Sequence, residues 1–110
     1  RNLLSDWKSA IEKFVKNLEK QGHKVYLPFR DTPQNDNIGF EICQRNKRAI
    51  ENADLIYVFW DGKSQGCLFD LGMAFALNKK IKIVKKFFPP KTKYKSFASM
   101  CRFWEKVIND

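Results

Sequence analysis

The chain is short of everything from which a metal centre or a disulfide framework is made. It has one histidine, His23, and three cysteines, Cys43, Cys67 and Cys101. His23 stands alone in "QGHKVY", with no imidazole or thiol at ligand spacing, so neither a zinc site nor a His-based triad is expected and the residue is read as structural. An odd number of widely spaced cysteines fits reduced thiols and a cytoplasmic setting, not a stapled secreted fold. No apolar run approaches the roughly 20 residues of a membrane span, and no signal peptide is recognised. Glycine and proline number only five and four. Nothing is low-complexity, and no internal repeat is visible.

Acid is the other shortage. Twelve acidic residues face 21 basic ones, leaving a net charge of +9. The excess is concentrated late, in "NKKIKIVKK" and "PPKTKYK". Such a balance can draw nucleic acid, an anionic membrane or phosphorylated small molecules. No RNA-binding aromatic signature or helix-turn-helix pattern accompanies the charge, so neither a nucleic-acid nor a membrane partner is expected. What the chain does have is apolar mass. It is 44% hydrophobic and 15% aromatic over 110 residues, with ten Phe and three Trp. That suits one small packed domain and excludes disorder.

Periodicity sets out the elements. Ser5 is placed to cap a helix running to about Gln21, with Trp7, Ile11, Phe14, Val15 and Leu18 forming one apolar stripe. Gly22 is a good stop. "KVYLPF" reads as a strand ending at Pro28, and "RDTPQNDN" as a polar loop. A second helix is predicted over Ile38 to Asn52, with Ile38, Ile42, Ala49 and Ile50 inward. "DLIYVFW" is nearly continuous apolar sequence, as in a parallel strand covered on both faces. The loop "DGKSQG", a helix from about Cys67 to Leu77, the strand "IKIV" and a last helix from about Ser96 to Ile108 complete the pattern. Strands alternating with helices predict an α/β domain: a doubly wound, flavodoxin- or Rossmann-like parallel sheet with helices on both faces. Such folds bind ligands at the carboxyl ends of the strands, which here carry "PFRDT", "WDGKSQG" and "VKKFF". The pattern opens on a helix where a strand is usual, so either the sheet is unusually small or a first strand precedes Arg1.

Within "KSQGCLFDLGMAFAL" one acid, Asp70, lies among Leu68, Phe69, Leu71 and Met73. A carboxylate in apolar company is costly and asks for a reason.

The string "ADLIYVFWDGKSQGCLFDLGMAFALNKKIKIV", with "GHKVYLPFRDT" upstream, resembles the nucleoside 2-deoxyribosyltransferase superfamily. The family pattern runs from "AD" and an apolar strand, through a polar loop with glycine, to an acid followed by x-Gly-x-Ala. Here that end reads Asp70-Leu71-Gly72-Met73-Ala74. The resemblance implies a single such domain over residues 1–110 that cleaves the N-glycosidic bond of a nucleoside or nucleotide, by hydrolysis or base transfer. Asp70 stands where the family usually has the attacking Glu. A carboxylate facing an oxocarbenium-like carbon suits that chemistry, and poor solvation keeps it reactive. A helix dipole would offset part of the burial cost. No metal or organic cofactor is implied.

Six residues earlier, where the transferases commonly carry Asp, this chain has Ser64. That resembles the branch of 2'-deoxynucleoside 5'-phosphate N-hydrolases. A carboxylate there would repel a phosphate, whereas a hydroxyl and the amides near Gly66 can donate to one, and Lys63 adds charge. Eight residues before Asp54, where many members carry another Asp, stands Asn46. An amide cannot act as an acid or base but can bond a sugar hydroxyl or orient the carboxylate. The resemblance further assigns Arg1 to base and phosphate, Arg30 and Asp31 to the base, Asp61 to the pocket floor and Ser99 to phosphate. It implies a homodimer or higher homo-oligomer. The other reading of Asn46 and of the shortened acid is a non-catalytic nucleotide-binding or signalling module.

Overall fold

The structure, a computed structural model, describes residues 3–109. Arg1 lies outside them. The chain divides into two compact units, residues 1–37 and 38–110.

In the first unit α1 spans Leu3–Lys20. Its predicted stripe is present, with Ile11 and Val15, one turn apart, both buried. Ser5 lies within this helix, and the cap expected of its side chain lies outside the described side chains. Gly22 ends it in the left-handed region, at φ 94°. The amides of Gly22 and His23 then donate to the carbonyls of Glu19 and Leu18, at 3.0 and 3.2 Å.

The expected strand "KVYLP" is corrected. Residues 23–27 run outside regular structure, and Pro28 opens a single helical turn, α2 (Pro28–Asp31). The reason lies in where its backbone groups go. The Leu27 amide donates to Asp31 Oδ2 at 2.8 Å, and the Val25 carbonyl accepts from Arg30 Nη2 at 3.1 Å. A strand exists only through its ladder, and here side chains of the next turn take its place.

The second unit opens at Gly39, whose φ of 90° stops helix from extending back to Ile38. Helix α3 therefore covers Phe40–Asn52. Ile38, expected inward, is 90% exposed. Strand β1 (Ile56–Val58) pairs in parallel with β2 (Ile81–Ile83), in register Ile56↔Ile81 and Val58↔Ile83. Helix α4 (Gln65–Ala76) makes the crossover between them. The two-stranded parallel sheet accords with a Rossmann-like α/β fold, but it is smaller than the doubly wound sheet expected. "DLIYVFW" gives only three strand residues because β2 runs into a 3-10 turn, Lys85–Phe87. The Trp60 amide meets the carbonyl of Phe87 (3.1 Å) beyond the ladder.

Helix α5 (Phe97–Ile108) starts at Ser96, whose Oγ accepts from the Ser99 amide at 3.1 Å. It packs on β2, and its Glu105 carboxylate accepts from the amide of Ile83. The core joins Val58, Trp60, Leu71, Ile81, Cys101 and Trp104. Lys79 binds the end of α3 to this core, its Nζ donating to the carbonyls of Glu51 and Ala53 at 2.7 and 3.0 Å. Among the described residues, no helix is long and apolar enough to cross a membrane.

Candidate active site

The segment after β1 turns on Asp61. Its Oδ1 accepts from the amides of Lys63 and Ser64, both at 2.8 Å, and these bonds hold the carboxyl below the usual carboxylate range. Between them Gly62 has φ 86°, and a Cβ there would come within 3.2 Å of Pro89 Cγ. Trp60, buried beneath, donates its indole N–H to the Ser64 carbonyl at 3.1 Å. Asp61 thus shapes the loop from three residues beyond the end of β1. The indole bond is a part of the site that the sequence reading missed, since "WDG" gives no sign of where the ring turns.

Ser64 caps α4: its Oγ accepts from the Cys67 amide at 3.2 Å. A cap uses a lone pair and leaves the hydroxyl proton free to donate outward. Cys67 is no nucleophile. Its thiol lies 3.7 Å from the Phe59 carbonyl, and burial pushes it up to about 12.

Asp70 lies in the second turn of α4, which begins at Gln65. That corrects the expected help from the helix dipole, an effect confined to the first turn. Burial pushes its carboxyl up to about 6, and a hydrogen bond from the Asn46 side chain pulls the other way. Asn46 is the one buried residue of α3, 8% exposed. Helices α3 and α4 pack together, and between them the buried amide of Asn46 meets the half-buried carboxylate of Asp70. Gly66 precedes Asp70 by four residues, on the same side of the helix. Helical side chains lean toward the N-terminus, so Asp70 leans over Gly66, where an added Cβ would meet nothing closer than Ser64 Oγ at 4.0 Å. Ser64, Gly66, Asn46 and Asp70 therefore share one region at the start of α4. Gly66→Leu closes it. The substitution suits a helix at this ordinary φ, so the protein should fold normally yet lose ligand binding more than tenfold by calorimetric titration. Unchanged binding would place the ligand elsewhere.

Of the other expected site residues, Arg30 and Asp31 lie in the first unit and Ser99 lies on α5. Arg30 pairs with Asp31 (2.8 Å) and Glu19 (3.2 Å), and with the Asp31–Leu27 bond these contacts fix the turn of residues 25–31. Ser99 Oγ accepts from the Thr92 amide at 3.0 Å. An open apolar groove of about 430 Å³ lies along α3 and α4, lined by Phe40, Cys43, Lys47, Phe69 and Met73. Asp70 does not line it. Trp60 belongs to the core, while Phe69 and Phe75 are 57% and 55% exposed. Among the described residues no group of His, Cys, Asp or Glu could hold a metal ion.

The family model of nucleoside 2-deoxyribosyltransferase matches residues 4–100. The chain belongs to that family. Nucleoside 2-deoxyribosyltransferases move glycosyl groups and bind nucleosides. No curated protein and no solved structure gives a match. The resemblance read from "ADLIYVFWDGKSQGCLFDLGMAFAL" therefore holds at the level of the family.

Proposed function

We propose that this chain cleaves the N-glycosidic bond of a nucleoside 5'-monophosphate, with Asp70 as the catalytic carboxylate. The observation that carries the reading is the Asp70–Asn46 pair. A carboxylate pushed up to about 6 is held by a buried amide, four residues after Gly66 on the same helix. At neutral pH it is ionised yet poorly solvated, the state a nucleophile at an anomeric carbon requires. Attack forms a glycosyl ester as the carbon–nitrogen bond breaks, and the base leaves with that electron pair and takes up a proton. Water or a second base then attacks the same carbon and frees the carboxylate. Asp is about 1.5 Å shorter than Glu, and the absence of a side chain at residue 66 lets the sugar come correspondingly closer.

Ser64 supports the phosphate. Its hydroxyl, the neighbouring amides and Lys63 favour a dianion at the start of α4. Losing one donor to a charged group costs about 1.5–3 kcal/mol. Ser64→Ala should therefore weaken monophosphate binding roughly ten- to a hundredfold and leave nucleoside binding little changed. Calorimetric titration of both ligands checks this, and equal affinity of the unmodified protein for the two would remove the phosphate from the reading. Arg30 and Asp31 are assigned to the base, on the resemblance alone. A homo-oligomer is part of the same reading, and α5 leaves Phe97, Met100, Phe103 and Val107 exposed along one side.

The deciding experiment is nucleobase release from a panel of deoxy- and ribonucleoside monophosphates, followed by chromatography. Release is expected. Tight binding without release would favour the non-catalytic module, whose supporting feature is Asn46 in place of an acid.

A further inference from the structure

The positive charge is not spread over the molecule. Residues 71–104 hold eight lysines, one arginine and no acid. The chain has 21 basic and 12 acidic residues, so the remainder is balanced at twelve of each, and the whole +9 belongs to this stretch.

The structure divides these nine cations by what they do. Lys79 is spent on the end of α3. Arg102 donates to the Pro89 carbonyl at 2.8 Å and lies over the Phe88 ring. Lys80 and Lys82 lie at the start of β2 and within it. Lys85, Lys86, Lys91, Lys93 and Lys95 follow β2, all exposed. Among the described residues none of these five pairs with a carboxylate. They surround a pinned loop. The Thr92 amide donates to Ser99 Oγ at 3.0 Å, and its hydroxyl to Ser96 Oγ at 2.8 Å. Tyr94 stands between Lys93 and Lys95, 76% exposed, with Lys93 Nζ 5.7 Å from its ring centre. The segment adjoins the candidate active site, because the Trp60 amide bonds the Phe87 carbonyl and Gly62 closes on Pro89.

We infer that residues 85–95 form a docking face for single-stranded nucleic acid. Five ammonium groups without a carboxylate partner exceed what a dianionic monophosphate can neutralise, so the face fits a ligand with several phosphates in a row. An exposed ring among the cations supplies a stacking platform, the usual companion of a basic track in single-strand binding. A duplex would call for a helix or ribbon presenting the cations to a groove, and this segment is an irregular loop. A membrane would call for apolar side chains to insert; within the loop only Tyr94 is large, apolar and exposed, and the exposed Phe97, Met100, Phe103 and Val107 belong to α5. The inference does not rest on catalysis at Asp70, and its test reads binding alone.

The probe is a fluorescein-labelled thymidine 20-mer, followed by anisotropy between 50 and 200 mM salt. A single strand loses about 0.7 in the logarithmic salt slope for each neutralised phosphate. Five lysines therefore predict a fall in affinity of roughly a hundredfold over that range. The triple variant Lys91→Gln/Lys93→Gln/Lys95→Gln should bind more weakly and fall only about sevenfold. Tyr94→Ala should weaken binding about tenfold and leave the slope unchanged, separating stacking from charge. All four residues are exposed, so the variants should fold, and circular dichroism is the check on that. Any of three results would overturn the inference: no binding at 50 mM salt, equal affinity for thymidine triphosphate and the 20-mer, or capture by phosphatidylserine-containing vesicles with no binding of the strand. Failure here with base release intact would leave the proposed function standing.

Discussion

Asp70→Asn should abolish base release and stabilise the protein. An amide of the same shape keeps its place beside Asn46 but cannot attack the anomeric carbon, so turnover should fall on the order of 10³-fold or more. The stability change follows from linkage. Burial raises the folded carboxyl of Asp70 from 3.8 to about 6. A group raised on folding contributes stability that is present below its unfolded pKa and is lost as pH rises through the folded one. At pH 7 that contribution is gone, and the buried charge is a cost that Asp70→Asn removes. Thermal melts should therefore show the variant more stable at pH 7, by roughly 4–8 °C for each kcal/mol, with the difference vanishing below about pH 4. The rate of base release should rise with pH through about 6, where Asp70 ionises. Asn46→Ala, by removing a bond to the charged form, should move that limb upward. A variant that keeps its activity, or that melts lower at pH 7, would refute the assignment of Asp70.

Ile81→Ala should bring the fold close to its limit. Ile81 is fully buried and pairs with Ile56 in the first rung of a sheet of only three-residue strands. Truncation of a buried Ile costs about 2–5 kcal/mol, against a total stability of roughly 5–15 kcal/mol for domains of this kind. Urea denaturation should show a lower midpoint at an unchanged slope. A loss under about 1 kcal/mol would mean that the two strands do not organise the core.

The helices and the order of elements were legible in the sequence, because their signals are local. The stripe of Trp7 to Leu18 and the turn at Gly22 mark α1. Ser64 and Ser96 mark the starts of α4 and α5, and both caps form. The family was legible in the pattern around Asp70, because its residues are contiguous in the chain. What failed depended on partners. "KVYLP" has the composition of a strand, but Arg30 and Asp31 take its backbone groups. Ile38 is apolar, but the positive φ of Gly39 puts it outside the helix. Nor can spacing show that Asn46 turns toward Asp70. That contact joins residues on two helices, and only the packing of α3 on α4 creates it.

The bond between Glu105 and Ile83 bears on aggregation. In the parallel ladder Ile56 and Val84 donate toward the partner strand, which leaves the Ile83 amide pointing away from β1. A bare amide on a strand flank is a template on which a stray chain can zip. Here it is occupied by a carboxylate from α5, so a foreign strand must first break a charge-assisted bond and lift a helix off the core. That side of β2 is closed to runaway assembly, and any strand added to this sheet must come in alongside β1.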